Sequence, residues 1–237
     1  MGQAISALGG LARANFPDGK KILFASMNIG ASAPEERGNY YTWGDTQIRY
    51  TGFVTSGVAI EGGNFTWKTY IWTPGCSSST NCRNSITKYN DDPAYGKDGF
   101  VDNLTTLELA DDVANKEWGG TWRIPGPFDI AMLLDDEVVR EWVDNYNNSE
   151  INGLLIHGIG EYSKNYIFLP AAGYTSYSFI NSFGSICKYW TNKLSNPIAA
   201  FSFYYANEGL SSTPSTPDVH SRCMGLPIRP ILISEEN

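Results

Sequence analysis

After a Pro17-Asp18-Gly19 turn the chain runs ILFASM over Ile22–Met27, an apolar stretch that predicts a buried strand. Tyr40–Thr46, YYTWGDT, is aromatic and punctuated by glycine, and reads as a core anchor. Gln47–Gly63 has hairpin character. Phe65–Trp72, FTWKTYIW, alternates large and small side chains and reads as a strand. Cys76–Asn103 is polar, irregular and too long for a simple connection, which predicts a packed surface loop. The period then changes. Leu107, Ala110, Ala114 and Trp118 recur at helical spacing and predict a helix over Leu107–Glu117. A second helix has a legible start: Gly126 as N-cap, Pro127 at the first position and Asp129 at the positive end of the dipole. Ile130, Leu133, Leu134, Val138 and Trp142 mark its buried face, interrupted at Asp135-Asp136. From Ile151 onward the pattern is strand and turn, with strands at Ile151–His157, Tyr166–Leu169, Lys188–Thr191, Ala199–Tyr205 and Ile228–Ile233.

Helices early and antiparallel strands late predict an α+β domain. No repeat appears, and the only candidate linker, Ser211–Pro217, falls inside the last sheet region. The expected division is an N-terminal extension over residues 1–20 and a single domain over 21–233. Between the two helices lies Trp118–Pro125, WGGTWRIP. Its tryptophans are expected to plug a core and its glycines to let backbone approach closely. If the Trp122 ring is buried, Trp122→Ala costs roughly 3–5 kcal/mol.

The 237 residues are 42% apolar and only 18% charged, a globular composition. The 14 tyrosines and 24 glycines on a weakly charged chain suit an extracellular recognition surface. The net charge of −8 comes with no basic run, which excludes nucleic acid and anionic membrane as expected partners. No apolar stretch is long enough for membrane insertion. The opening MGQAISALGGLARANF lacks the regions of a secretory signal, and its Met1-Gly2 with Ser6 matches the myristoylation pattern only as a short motif. Of the four cysteines, Cys76 and Cys82 flank a Ser-rich loop that a disulfide would staple, and Cys187 and Cys223 fit a bridge between neighbouring strands; four reduced thiols fit equally.

Catalytic signatures are sparse. The only histidines, His157 and His220, accompany no G-x-S-x-G elbow and no HExxH. Asp91, Asp92, Asp98 and Asp102 cluster as oxygen donors, yet their spacing matches no EF-hand, so they read as solvated loop carboxylates. Asp111-Asp112 reads as a helix cap or a partner for Arg123. No metal and no cofactor is expected, and the chain reads as a non-enzyme.

Nine motifs occur in order: MNIGAS (Met27–Ser32), YYTWGDT (Tyr40–Thr46), WKTY (Trp67–Tyr70), SITKYN (Ser85–Asn90), LELADDVA (Leu107–Ala114), WGGTWRIP (Trp118–Pro125), IFLPAAGY (Ile167–Tyr174), YW (Tyr189-Trp190) and GLPIRPI (Gly225–Ile231). Over about residues 20–233 the chain resembles the Fibrobacter succinogenes major paralogous domain family. Gly126-Pro127 in place of a Thr at the second helix start and a long Gln47–Gly63 insertion depart from its pattern. The resemblance implies a C-type lectin-like fold, with two helices packed on mixed, mainly antiparallel sheets, and a ligand face on the late strands and loops. It also implies kinship with the variable proteins of diversity-generating retroelements, in which adenines of that face are rewritten, and with surface or fimbrial adhesins.

In Phe201–Asn207, FSFYYAN, alternation sets Phe201, Phe203 and Tyr205 on one face and Ser202 and Tyr204 on the other. One face is expected to pack on the core and the other to meet a partner. Rewriting of AAC-type codons permits Asn, Tyr, Ser, Asp, His and Thr, but not Lys, Glu, Met or Trp. Lys188, Trp190, Lys193, Glu208 and Met224 are therefore scaffold. The resemblance implies a ligand-binding set of Tyr189, Thr191, Asn192, Ser195, Asn196, Ser202, Tyr204, Asn207, Asp218, His220 and Ser221, engaging a cell-surface protein or glycan from an extracellular, cell-surface or virion-surface location. The alternatives are a fixed-ligand adhesin and, from a different class, an oxidase like the formylglycine-generating enzymes.

Overall fold

A computed structural model describes residues 5–6, 21–50, 52–53, 60–61, 63–77, 81–136, 138–207 and 215–234. In chain order the strands are β1 (Ile5–Ser6), β2 (Lys21–Ala25), β3 (Gly52–Phe53) and β4 (Ile60–Glu61). Helix α1 (Val113–Trp118), strand β5 (Trp122–Arg123) and helix α2 (Pro127–Ala131) follow. Then come β6 (Val138–Val143), β7 (Gly153–Gly158), β8 (Tyr166–Pro170), β9 (Tyr174–Ser176) and β10 (Phe179–Asn181). The last are β11 (Ile186–Asn196), β12 (Ala199–Ala206), β13 (Ser215–Ser221) and β14 (Ile231–Ser234).

The class is α+β, with antiparallel pairing throughout these strands. One sheet runs β1-β2-β14-β5, a second β6-β7-β8 and a third β11-β12-β13, with the hairpins β3-β4 and β9-β10. β2 beside β14 brings the two ends of the 21–233 span together. Of the expected 1–20 extension only Ile5–Ser6 is described, and it pairs with β2. Ser211–Pro214 of the candidate linker and Glu208 lie outside the described residues, while Ser215–Pro217 begin β13.

Both helices start where the sequence places a cap or a proline, and both are shorter than their periodicity. Asp112 caps α1 by accepting the N–H groups of Ala114 and Asn115, and its second oxygen accepts Ile124 N–H at 2.8 Å. Leu107 is not in that helix; its N–H donates to Asn192 O at 2.9 Å, so Thr105–Leu107 run along β11, and a 3-10 turn over Leu109–Asp111 leads into the cap. In α2 the Asp129 carboxylate accepts Gly126 N–H at 2.7 Å and Arg123 Nη1 at 2.8 Å. The helix ends at Ala131 and a 3-10 turn over Met132–Leu134. Val138 and Trp142, expected on its buried face, belong to β6 and face Gly158 and Leu154 of β7. Four-residue spacing of large apolar groups suits a strand as well as a helix, and Val138, Val139 and Val143 are β-branched. Phe65–Trp72 is likewise not a strand: it is a run of turns with a single bridge, Phe65 to Tyr177.

WGGTWRIP lies between two helices as expected, joining them through β5, which is stitched to β14 at Arg123–Ile231 and Trp122–Leu232, and is corrected in two respects. Gly119 and Gly120 are needed for φ values of 69° and 59°, and a side chain there would meet nothing, so close backbone approach is not their reason. Trp118 and Trp122 are half-buried and pack edge-to-face at 5.0 Å; the fully buried plug is Ile124.

YYTWGDT is the anchor its composition suggests. The Trp43 indole donates to Thr191 O at 2.8 Å, the Trp190 indole to Tyr41 O at 2.8 Å, and the Tyr40 hydroxyl to Ala172 O at 2.5 Å. Two arginines are wholly buried with no carboxylate partner among the described residues. Arg222 donates to Tyr70 Oη, Tyr89 O, Pro197 O and Lys88 O between 2.7 and 3.0 Å, and its guanidinium lies 5.1 Å from the Trp43 ring. Arg229 donates to Asn28 Oδ1, Ala25 O and Phe168 O.

Candidate functional site

β11 and β12 carry core residues on both faces. Cys187, Tyr189 and Phe203 enter a cluster with Ile156, Leu169 and Ile231. Trp190, Leu194 and Ala200 enter a second, with Trp43, Val113 and Leu226. The expectation of one core face and one free face is thereby overturned for much of this sheet. Tyr189 is 1% exposed, and its hydroxyl donates to Pro170 O at 2.8 Å. Thr191 is buried and donates to Phe201 O at 2.8 Å. Ser202 is buried and donates to Asp218 Oδ2 at 2.9 Å. These three side chains hold the sheet together and do not reach its surface.

The remaining candidates separate into places. Ser195 and Asn196 are exposed at the β11–β12 turn, where Asn196 Oδ1 accepts Ile198 N–H at 3.0 Å. Asn192 is half-buried, with its backbone N–H on Pro125 O. Asn207 is half-buried where β12 ends, at the opposite end of the ladder from Ser195. Tyr204, Asp218 and His220 converge. The register sets Lys188 opposite Tyr204, Ser202 opposite Asp218 and Ala200 opposite His220, so all share one face.

Lys188, expected as scaffold, is the pivot of that convergence. It is 7% exposed, and its Nζ sits 2.8 Å from Asp218 Oδ2, 5.4 Å from the Tyr174 ring centroid and 5.3 Å from that of Tyr204. Two aromatic faces and one carboxylate replace the water the ammonium gives up. The His220 ring meets Tyr174 edge-to-face at 4.6 Å, and its Nε2 is buried without a hydrogen-bond partner. Burial, then the Lys188 charge, push the His220 pKa down to about 4, so the ring is neutral near pH 7. Tyr174 was not among the expected site residues. Its signal was its place in IFLPAAGY, directly after a Pro/Gly turn, but only the fold brings it to Lys188.

Ser221 lies elsewhere, on the rim of an open groove of about 690 Å³. Residues 64–68, Arg83, Ser176-Tyr177 and Cys223-Met224 form the rest of that groove. Cys223 is a free, buried thiol there, 3.4 Å from Ser221 Oγ; burial raises its pKa to about 11. Cys187 is also free and sits in a different cluster, so of the two alternatives for this pair, bridged or reduced, the reduced one holds. Cys76 and Cys82 do form a disulfide.

The loop aspartates order backbone. Asp102 accepts the N–H groups of Tyr89, Asn90 and Leu104 at 2.8 to 3.0 Å, and Asp92 that of Ala94 at 2.9 Å. Arg123 pairs with Asp129, while Asp111 takes Lys88 at 2.6 Å. Among the described residues, no group of three or more His, Cys, Asp and Glu side chains is placed to hold a metal ion, and no helix is long and apolar enough to cross a membrane. The chain matches no protein-family model, no curated protein and no solved structure.

Proposed function

We propose that this chain is a non-catalytic recognition module of C-type lectin-like architecture, displayed on a cell or virion surface, whose late strands bind a cell-surface protein or glycan. The observation that carries this reading is the Lys188 cluster. Tyr204, Asp218 and His220 are held partly exposed around a buried cation, on a sheet braced by a core on each side. Rigid aromatic and polar side chains on a preorganised sheet bind with little loss of entropy. The nucleophiles support binding over chemistry: burial lifts the Cys187 and Cys223 thiols to about 12 and about 11. The Cys76–Cys82 disulfide supports an oxidising, extracellular location.

In this reading the chain is akin to retroelement variable proteins, and the tolerant positions reduce to Asn192, Ser195, Asn196, Asn207 and Ser221, since the Tyr204 ring covers the Lys188 ammonium. One observation favours a fixed-ligand adhesin as the second reading. Three residues permitted by adenine rewriting are tied into the Lys188 cluster: Ser202 donates to Asp218, Asp218 pairs with Lys188, and His220 packs on Tyr174. Free variation of Asp218 would leave a buried ammonium unpaired.

Two measurements test this. Fluorescently labelled protein is expected to bind intact cells, and Tyr204→Phe, which keeps the ring over Lys188, with Asn207→Ala to weaken that binding at unchanged melting temperature; equal binding by the double variant overturns the site. A near-repeat of the codons for residues 185–230, differing only at adenines and lying beside a reverse transcriptase gene, separates the variable protein from the adhesin.

A further inference from the structure

We propose that the groove between the β9–β10 turn and the Asn64–Lys68 segment binds a carboxylated saccharide. This rests on the recognition reading above and names a ligand class that the late strands alone do not. The first observation is charge. The chain carries 25 acidic and 17 basic residues, yet among the described residues the groove is lined by Lys68 and Arg83 and by no carboxylate. Both cations are exposed, and neither is in an ion pair among the described residues. Two cations at one opening of an acidic protein, with no ion pair among the described residues, suit an anion.

The second observation is Tyr177. It occupies the first position of the two-residue turn between β9 and β10 with φ 53°, a conformation that suits glycine. The turn is clamped there. Phe65 N–H donates to Tyr177 O at 2.8 Å, Tyr177 N–H to Phe65 O at 3.1 Å, and Ser178 Oγ to Gly63 O. Tyr177 is 66% exposed and lines the groove. Strain kept by a bulky residue where glycine would be free marks a side chain wanted at that position.

The third observation is the polar lining. Asn64, Thr66, Ser176 and Ser221 offer one amide and three hydroxyls. An aromatic face, small hydrogen-bonding groups and two cations together match a sugar ring bearing a carboxylate. An acidic peptide fits less well. The Phe65–Tyr177 and Thr175–Gly225 bridges already use backbone groups beside the groove that an added strand would need.

Calorimetric titration of the whole chain tests this with sialyllactose and a glucuronic-acid disaccharide, against lactose and a tetraglutamate peptide. The expected result is binding of at least one acidic saccharide, with lactose weaker by at least about tenfold. Lys68→Gln combined with Arg83→Gln is expected to lose at least about tenfold for that saccharide. Tyr177→Gly is expected to lose binding while melting no lower than the parent, since it relieves the turn. Tighter binding of tetraglutamate, equal binding of lactose, or no binding of either acidic saccharide overturns the proposal. Undiminished cell binding by the Lys68→Gln/Arg83→Gln variant would overturn it while leaving the recognition reading standing.

Discussion

At the scale of single residues, His220 ties the Lys188 cluster to pH. Its folded value of about 4 lies below the ordinary 6.5, so the unfolded chain takes up the proton first as pH falls. Stability is therefore held above pH 6.5 and lost progressively toward pH 4, by about 3 kcal/mol at most. Urea midpoints measured from pH 7.5 to 4.5 are expected to fall, and His220→Gln is expected to flatten that fall. An unchanged slope in the variant would place the pH sensitivity elsewhere. Arg222 makes a second residue-scale prediction. It satisfies three backbone carbonyls and one hydroxyl from four directions, and Lys has neither the fork nor the reach to do so. Arg222→Lys is expected to cost roughly 3 kcal/mol or more, measured by denaturant unfolding. Neither role was visible in the sequence. Arg222 sits in an unremarkable Ser-Arg-Cys run, and the burial of His220 depends on Tyr174, far away in the chain.

At the scale of elements, local chemistry was legible and element length was not. Asp112, Gly126, Pro127 and Asp129 mark the helix starts because caps act within four residues. Helix ends depend on partners: β11 takes Thr105–Leu107 as a neighbour, and β7 takes Val138–Val143 as a strand. The strands at Ile22, Gly153, Tyr166 and Ala199 were readable from apolar runs and alternation. For the candidate face, alternation identified which residues share a side, but not that both sides are covered. The same limit applies to WGGTWRIP. With Trp122 half-buried and Ile124 fully so, Ile124→Ala is expected to cost about 3 kcal/mol and Trp122→Ala about 2. This ranking reverses that of side-chain size, and paired urea unfolding curves check it.

At the scale of the whole molecule, distant segments are held by a few cross-links. Arg222 joins the loop around Tyr70 and Tyr89 to the β11–β12 turn, and the Cys76–Cys82 disulfide closes one part of that loop. A bridge spanning so few residues limits the unfolded chain only slightly, so Cys76→Ser with Cys82→Ser is expected to cost about 2 kcal/mol, lowering the melting temperature by roughly 4–8 °C. A collapse of the fold on reduction would show instead that the native loop depends on the bridge.

The two-sided packing of β11 and β12 has a kinetic consequence. Opening either cluster strips one wall from the other, so neither can melt as a separate unit. Amide protons of Tyr189, Trp190 and Phe203 are then released only when the whole chain unfolds, and their exchange with deuterium sets the slowest clock in the molecule.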